Sequence, residues 1–169
     1  MRTMATLSNA AASLASVDPE QFRAAMRRFA STVNVITSGH RDTFNGMTAT
    51  SVCSVSTDPP SILIVVNQDN RSHALIEKSG AYVVNVLSSG QRLLATHFAS
   101  RPVAPFLSVD HRIGMTNCPI LEHCEAFMEC VVETRTSFGT HSVFIGRVVA
   151  SGAAGRSALV YQDGQFLST

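Results

Sequence analysis

The sequence predicts a mainly β protein, an antiparallel barrel with a few peripheral helices, and three observations predict it. Beyond Thr32 the chain breaks into seven short runs rich in Val, Ile and Thr, over residues 33–37, 47–56, 61–66, 81–86, 126–134, 142–150 and 158–161. Most are bounded within a few residues by Gly, Pro, Asn or Asp, the residues that end strands and form turns. Helical periodicity is confined to one segment near the start and two short insertions. Seven short strands suit closure into a barrel, which removes the unpaired edges of an open sheet.

The first helix begins at Asp18. Asp18 is an N-cap type, Pro19 is pre-set for the first helical position, and Gln21 stands where a capping-box partner belongs. Phe22, Met26 and Phe29 recur at helical spacing as one apolar face, so this helix is expected to lie on a larger body. The insertions read as a short helix over 74–78 and a longer one over 90–99, and residues 101–119 as an extended loop. A connection of that length in a compact domain is usually functional or packed against a partner. Asp58, before Pro59 and Pro60, is expected to fix a turn, because both prolines restrict the backbone and Asp can bond it locally.

A chain of 169 residues suits one domain, here expected over 18–169 behind a flexible tail over 1–17. Hydrophobic residues make up 45% and charged residues 15%, ample for a core and sparse for a monomer's surface, which points to an oligomer. Thirteen Lys and Arg against twelve Asp and Glu give a net charge of +1, without the basic footprint of a nucleic-acid binder. The longest apolar run, 62–66, is far short of the ~20 residues that cross a bilayer, so no membrane association is expected. Residues 1–17 lack the continuous apolar stretch of a secretory signal, and hold one Arg, few for an organelle transit peptide. Cys53, Cys118, Cys124 and Cys130 show no CxxC spacing, which fits a reducing cytoplasmic compartment. Cys53 and Cys130 fall in apolar strands and are expected to be buried fillers. His73, His97, His111 and His123, taken with Cys118 and Cys124, match no zinc pattern, so no metal site is expected. Phe127, Met128, Phe144 and Ile145 read as barrel or dimer core, and Arg27 with Arg28 as a solvated face.

Chemistry concentrates in residues 46–60, GMTATSVCSVSTDPP. Read as one strand with a side-chain period of two, it puts Thr48, Thr50, Val52, Ser54 and Ser56 on one face, and the mostly small, apolar Met47, Ala49, Ser51, Cys53 and Val55 on the other. Small side chains let a ligand approach the backbone, and hydroxyls bond sugar and phosphate oxygens without charge. A hydroxyl-bearing surface facing water has the same pattern, and the segment alone leaves both readings open. Neither GxGxxG nor a P-loop occurs, so a nucleotide cofactor would be held on a β scaffold by hydroxyls, backbone amides and isolated bases such as Arg71.

Several motifs together resemble the flavin reductase family of FMN-binding split barrels. They are the helix FRAAMRRFASTVNVIT, the core GMTATSVCSVSTDPPSILIVV, the turn NQDNRSH over 67–73, the strand YVVNVLSSGQ, the closing HFA over 97–99, and FGTHSVFIGRV over 138–148. The likeness spans about residues 20–166, and the Gly-Thr-His form is most similar to reductase components of aromatic hydroxylases such as those acting on 4-hydroxyphenylacetate. It implies a homodimer of Greek-key split β-barrels that binds FMN or FAD, takes hydride from NADH or NADPH, and supplies reduced flavin to a partner monooxygenase. Position by position, it implies that Thr48, Ala49, Thr50, Ser51 and Ser54 line the flavin. Asn67, Ser72 and His73 would sit toward its ribityl or phosphate end, and Phe98 and Ala99 would close the site. His141 would meet the nicotinamide as the catalytic-site histidine, with Tyr161 nearby. Backbone N–H groups of 48–54 would stabilise charge developing on the reduced ring, a role needing no acid or base. A non-catalytic flavin-binding carrier, or a flavin-dependent reductase of another substrate such as a corrin, uses the same strand. The chain departs from the family's usual pattern at Asn117, Cys118, His123, Glu125, Ser157 and Ala158.

Overall fold

The computed structural model describes residues 14–167, so most of the expected tail lies outside the described residues. The elements in order are α1 (Pro19–Met26), β1 (Ser31–Thr32), β2 (Asn34–His40), β3 (Thr43–Ala49), β4 (Val52–Thr57), β5 (Pro60–Asn67), α2 (Arg71–Ser79) and β6 (Ala81–Val86). A 3-10 turn (Ser89–Gln91) leads into α3 (Arg92–Ala99). Then come β7 (His111–Ile113), β8 (Pro119–Leu121), β9 (Ala126–Phe138), β10 (His141–Ala153), β11 (Val160–Gln162) and β12 (Gln165–Leu167).

Seven strands form one antiparallel sheet in the order β3-β2-β6-β9-β10-β5-β4. Its two edge strands, β3 and β4, are consecutive in the chain and joined only by Thr50 and Ser51. Laid flat, such a sheet would hold its edges about 29 Å apart at the usual inter-strand spacing. The link from Ala49 to Val52 reaches about 11 Å when fully extended. The sheet therefore curls until its edges meet, a Greek-key barrel split where β3 and β4 do not pair.

The run expected as one strand over 47–56 is thus two strands, and the break reverses its side-chain alternation. Met47 and Ala49 pack on the barrel core, and so does Val52, which an unbroken strand would turn the other way. Inside the barrel lie Ile36, Ile62, Ile64, Val66, Tyr82, Val84, Cys130 and Phe144, with Ile76 of α2. A second cluster of Val33, Val35, Leu87, Ala95, Phe98, Leu121 and Leu159 holds α3 against the outer face of the sheet. β6 is buried on both faces, since Ala81 and Val83 pack under Ile120 of β8.

Other expectations shift. Asp18 caps α1 as its residue type predicts, accepting the Glu20 and Gln21 N–H groups. Behind it Phe22 and Met26 are 56% and 45% exposed, and Phe29, expected on the same helical face, falls past the helix end and is 64% exposed, so the chain alone offers no body for them to rest on. Arg28 pairs with Asp163 at 2.5 Å on an exposed face. The loop expected over 101–119 contains the β7–β8 hairpin. β9 and β10 run longer than expected, because residues 133–141 extend as an exposed hairpin. The last expected strand begins at Val160, preceded by a single bridge between Ala158 and Ser88, and pairs with β1 and β12. Cys53 is exposed, since β4 is an edge whose outer face is uncovered, whereas Cys130 is buried as expected. Phe144 is buried, and Met128 and Phe127 pack against core clusters. At the Asp58 turn the local bonds are made by Ser56, whose Oγ accepts the Asp58 N–H and donates to the Asp58 carbonyl, both at 3.0 Å.

Candidate functional site

The split leaves backbone donors bare. Val65 N–H donates to Ser51 O at 3.2 Å and Val52 N–H to Thr50 O at 3.0 Å. The N–H groups of Thr50 and Ser51 donate to no other described residue, so the ladder opens at this point. A cleft of about 320 Å³ lies there. Its floor and first wall are Met47, Thr48, Ala49, Thr50 and Ser51; Val65 and Asn67 enter from β5, and His141 from the first residue of β10. His141 pairs in register with Asn67, so ladder geometry places the two side by side. Phe98 and Ala99 close the opposite wall from the end of α3.

Local chemistry holds these walls in place. Thr48 Oγ1 donates to the Ala95 carbonyl at 2.6 Å, anchoring α3 on β3 and committing the hydroxyl proton that the sequence reading assigned to a ligand. Gly46 lets the Phe98 ring lie against β3, because a Cβ there would stand 2.5 Å from the ring. Asn67 Oδ1 accepts the Asp69 N–H at 2.8 Å, so what Asn67 offers the cleft is its amide NH2. His141 Nδ1 lies 2.9 Å from Thr140 Oγ1, leaving Nε2 without a partner among the described residues.

Two neighbouring depressions share lining residues with this cleft. One, of about 200 Å³, shares Asn70 and Arg101 and adds Arg71. Asn70 caps α2, accepting the Ser72 N–H at 2.9 Å, so a helix N-terminus and two guanidinium groups, set against the one carboxylate of Asp69 in the same lining, leave this end net positive. The other, of about 520 Å³, shares Thr50 and adds Phe29 and Tyr161. The central cleft has no carboxylate among its lining residues. It combines bare N–H groups, an amide and an imidazole with an apolar wall, a set that suits a flat, oxygen-rich ring system carrying an anionic tail.

The model of the flavin reductase-like domain matches residues 26–169. The chain belongs to this family. It is 36% identical over 153 residues to a probable flavin reductase of Rhizobium meliloti (strain 1021), covering 89% of this chain and 49% of that one. The chain therefore spans about half the length of that relative. It is 33% identical over 134 residues to the reductase subunit HsaB of a flavin-dependent monooxygenase from Mycobacterium tuberculosis (strain ATCC 25618 / H37Rv), covering 79% of this chain and 72% of that one. Among solved structures, the NADH:FAD oxidoreductase SgcE6 of Streptomyces globisporus C-1027, in complex with NAD and FAD fragments, is similar with a TM-score of 0.85. That match is at 32% identity and covers 92% of this chain and 97% of that one.

In this flavin reductase-like chain the residues singled out from sequence divide into those the fold gathers and those it does not. Thr48, Ala49, Thr50, Ser51, Asn67, Phe98, Ala99 and His141 line one cleft. Arg71 lies in the adjoining basic depression, where it also donates to Val103 O at 3.5 Å, and Tyr161 lies in the depression beyond Thr50. Ser54 is exposed on β4 outside all three. Ser72 and His73 are buried behind the wall: Ser72 accepts from Asn45 Nδ2 at 2.8 Å, and His73 lies 2.8 Å from Ser142 Oγ. Burial, and then the nearby Arg135, lowers the His73 pKa below its ordinary value, so the ring is neutral. Asn70 and Arg101 were missed. The first carries the N-cap signal of a residue preceding a helix; the second follows α3 just before Pro102, where a helix must stop, and adopts a left-handed φ of 55°.

Proposed function

We propose that this chain is an NAD(P)H:flavin oxidoreductase that reduces FMN or FAD and passes the reduced flavin to a separate monooxygenase. The observation that carries the reading is the cleft at the β3–β4 split, where Thr48–Ser51, Asn67, Phe98 and His141 converge beside a basic helix end. The residues fit a flavin: the Thr50 and Ser51 N–H groups, without partners among the described residues, would donate to ring oxygens and nitrogens, and Arg71 and Arg101 beside the α2 N-terminus would meet a phosphate. When bound, the flavin supplies the redox chemistry, accepting a hydride and carrying two electrons away. Thr50 and Ser51 N–H groups and the Asn67 amide hold ring and ribityl oxygens and favour negative charge on them. Phe98 and Ala99 exclude water. His141 Nε2 bonds the carboxamide of the nicotinamide and orients it, with Tyr161 flanking the approach. No side chain need move a proton for hydride transfer itself, which agrees with a cleft that no carboxylate lines.

The uncovered apolar face of α1 and the low charged fraction support a homodimer. The reading places the protein in the cytoplasm with its oxygenase; among the described residues no helix is long and apolar enough to cross a membrane. The test is an anaerobic assay of the purified protein with FMN or FAD and NADH or NADPH, following both absorbances. Flavin-dependent oxidation of the pyridine nucleotide is the expected result. Flavin binding without turnover in any of the four pairs would establish a carrier instead.

A further inference from the structure

His73 cannot reach a ligand in the cleft, since its side chain is enclosed and the residue is 8% exposed. Its position nonetheless joins two walls of that cleft. Its backbone N–H donates to Asn70 O at 2.9 Å in the first turn of α2, and Asn70 lines both the central cleft and the basic depression. Its Nε2 lies 2.8 Å from Ser142 Oγ, and Ser142 Oγ lies 3.0 Å from Ser137 Oγ. Ser142 and Ser137 oppose each other in the β9–β10 ladder, and the next pair toward the tip is His141 with Phe138. One turn along α2, Glu77 pairs with Arg135 of β9, and His73 Nδ1 lies 3.5 Å from Glu77 Oε2. The Phe144 ring meets the imidazole edge-on at 5.3 Å.

These contacts favour one tautomer. A neutral ring carries its proton on Nδ1 toward Glu77 and accepts the Ser142 hydroxyl proton at Nε2, while Ser142 accepts from Ser137. Glu77 does not hold the ring in its charged form, because Arg135 already offsets that carboxylate. Beyond the serine pair the hairpin is exposed, Phe138 to 89%, and the His141 ring is steadied only by its neighbour Thr140. The backbone at His141 is held on one side by the β5 ladder and by Gln68, whose N–H and Nε2 donate to Thr140 O and His141 O at 3.0 and 3.4 Å, and the serine pair with the imidazole behind it holds the β9 side.

We infer that His73 is a positioning residue: its ring ties the base of the β9–β10 hairpin to the N-terminal turn of α2 and, together with the β5 ladder, sets where His141 stands in the cleft. This rests on the proposed reading of the cleft as a flavin and nicotinamide site. The test compares His73→Leu, His73→Gln and Ser142→Ala, each also in a His141→Ala background. It measures steady-state constants, flavin Kd, and hydrogen exchange of the amides over 137–142.

His73→Leu and Ser142→Ala raise hairpin exchange roughly tenfold or more and raise the pyridine-nucleotide KM roughly five- to tenfold, with kcat and flavin Kd within about twofold of the parent. His73→Gln, whose amide oxygen can still accept from Ser142, stays within about twofold on every readout. In the His141→Ala background, His73→Leu adds no further rise in KM, because its effect passes through His141. A full additive rise in that background overturns the inference, as does a weakened flavin Kd with unchanged hairpin exchange, which would mean direct contact. If the parent shows no turnover, the proposed function fails while hairpin exchange in His73→Leu still decides the anchoring.

Discussion

Gly46→Ala tests whether the wall between β3 and α3 is as closely fitted as the structure requires. Gly46 sits in a strand, so Ala meets no backbone penalty there, and the whole effect is steric. Its Cβ would stand 2.5 Å from Phe98 Cε1 and 2.6 Å from Cδ1, about an ångström inside normal contact. The ring has little room to yield: Phe98 is 1% exposed, with His97 5.0 Å and Phe106 5.5 Å away, ring centre to centre. Overpacking of this kind costs about 1 to 3 kcal/mol, which for a chain of this size lowers Tm by roughly 3 to 10 °C. Since Phe98 also lines the cleft, flavin binding weakens in the same variant. Phe98→Leu alone removes three buried side-chain carbons and the ring contacts with His97 and Phe106, and costs about 1 to 3 kcal/mol. Combined with Gly46→Ala it relieves the clash, so the double variant is more stable than the sum of the singles by about 1 kcal/mol. Urea unfolding of the four proteins measures this directly. A Gly46→Ala protein within about 0.5 kcal/mol of the parent, or strictly additive variants, would refute the close packing of Phe98 on β3.

His141→Ala raises the pyridine-nucleotide KM by roughly tenfold and lowers kcat by much less, as expected when a hydrogen bond present in both ground and transition states is lost; a collapse of kcat at constant KM would show that His141 transfers a proton. Because the folded protein holds His73 neutral with its pKa lowered, the unfolded chain binds more protons as pH falls below the free imidazole value of 6.5. The stability associated with this group is complete above that value and declines on acidification; urea titrations from pH 7 to 5 show the slope, and His73→Gln flattens it. Of the four thiols, Cys53 alone reacts rapidly with a disulfide reagent under native conditions, since Cys118 and Cys130 are buried and burial pushes half-buried Cys124 up to about 12. Two or more fast thiols would place Cys124 or a buried cysteine at the surface.

The strand-rich architecture was legible because alternation and turn residues report burial and chain reversal directly. The central cleft was legible too: Thr48–Ser51, Asn67, Phe98, Ala99 and His141 come from four separate segments, each marked by a motif, and the fold brings them together. Adjacency within a motif misled where sidedness mattered. Arg71, Ser72 and His73 are consecutive, but α2 turns about 100° per residue. Arg71 therefore faces a surface depression, while Ser72 and His73 face the interior. The spacing of Phe22, Met26 and Phe29 shows that an apolar face exists and is silent on what covers it. The exposure of Cys53 was hidden for a related reason, since an apolar stretch looks the same in a central strand as in an edge strand.

The reversal at Thr50 and Ser51 connects the fold to the site. Continued as one strand, residues 47–56 would have kept Met47 and Ala49 on the core but turned Val52 outward and Ser51 and Cys53 inward. Two residues outside the ladder shift the alternation, so that Val52 of β4 joins Met47 and Ala49 of β3 on one core. The same two residues cannot complete the ladder, because β3 hydrogen-bonds to β2 and β4 to β5, on opposite sides of the gap. An open edge with bare donors is normally an aggregation hazard. Here the end of β3 and the Thr50–Ser51 link are walled in by Phe98 and Ala99 of α3 and by His141 at the start of β10, so the bare donors line a cleft of about 320 Å³. Small hydroxyl residues at 50 and 51 follow from that geometry, since larger side chains would fill the cleft and a paired strand would consume the N–H groups that make it useful.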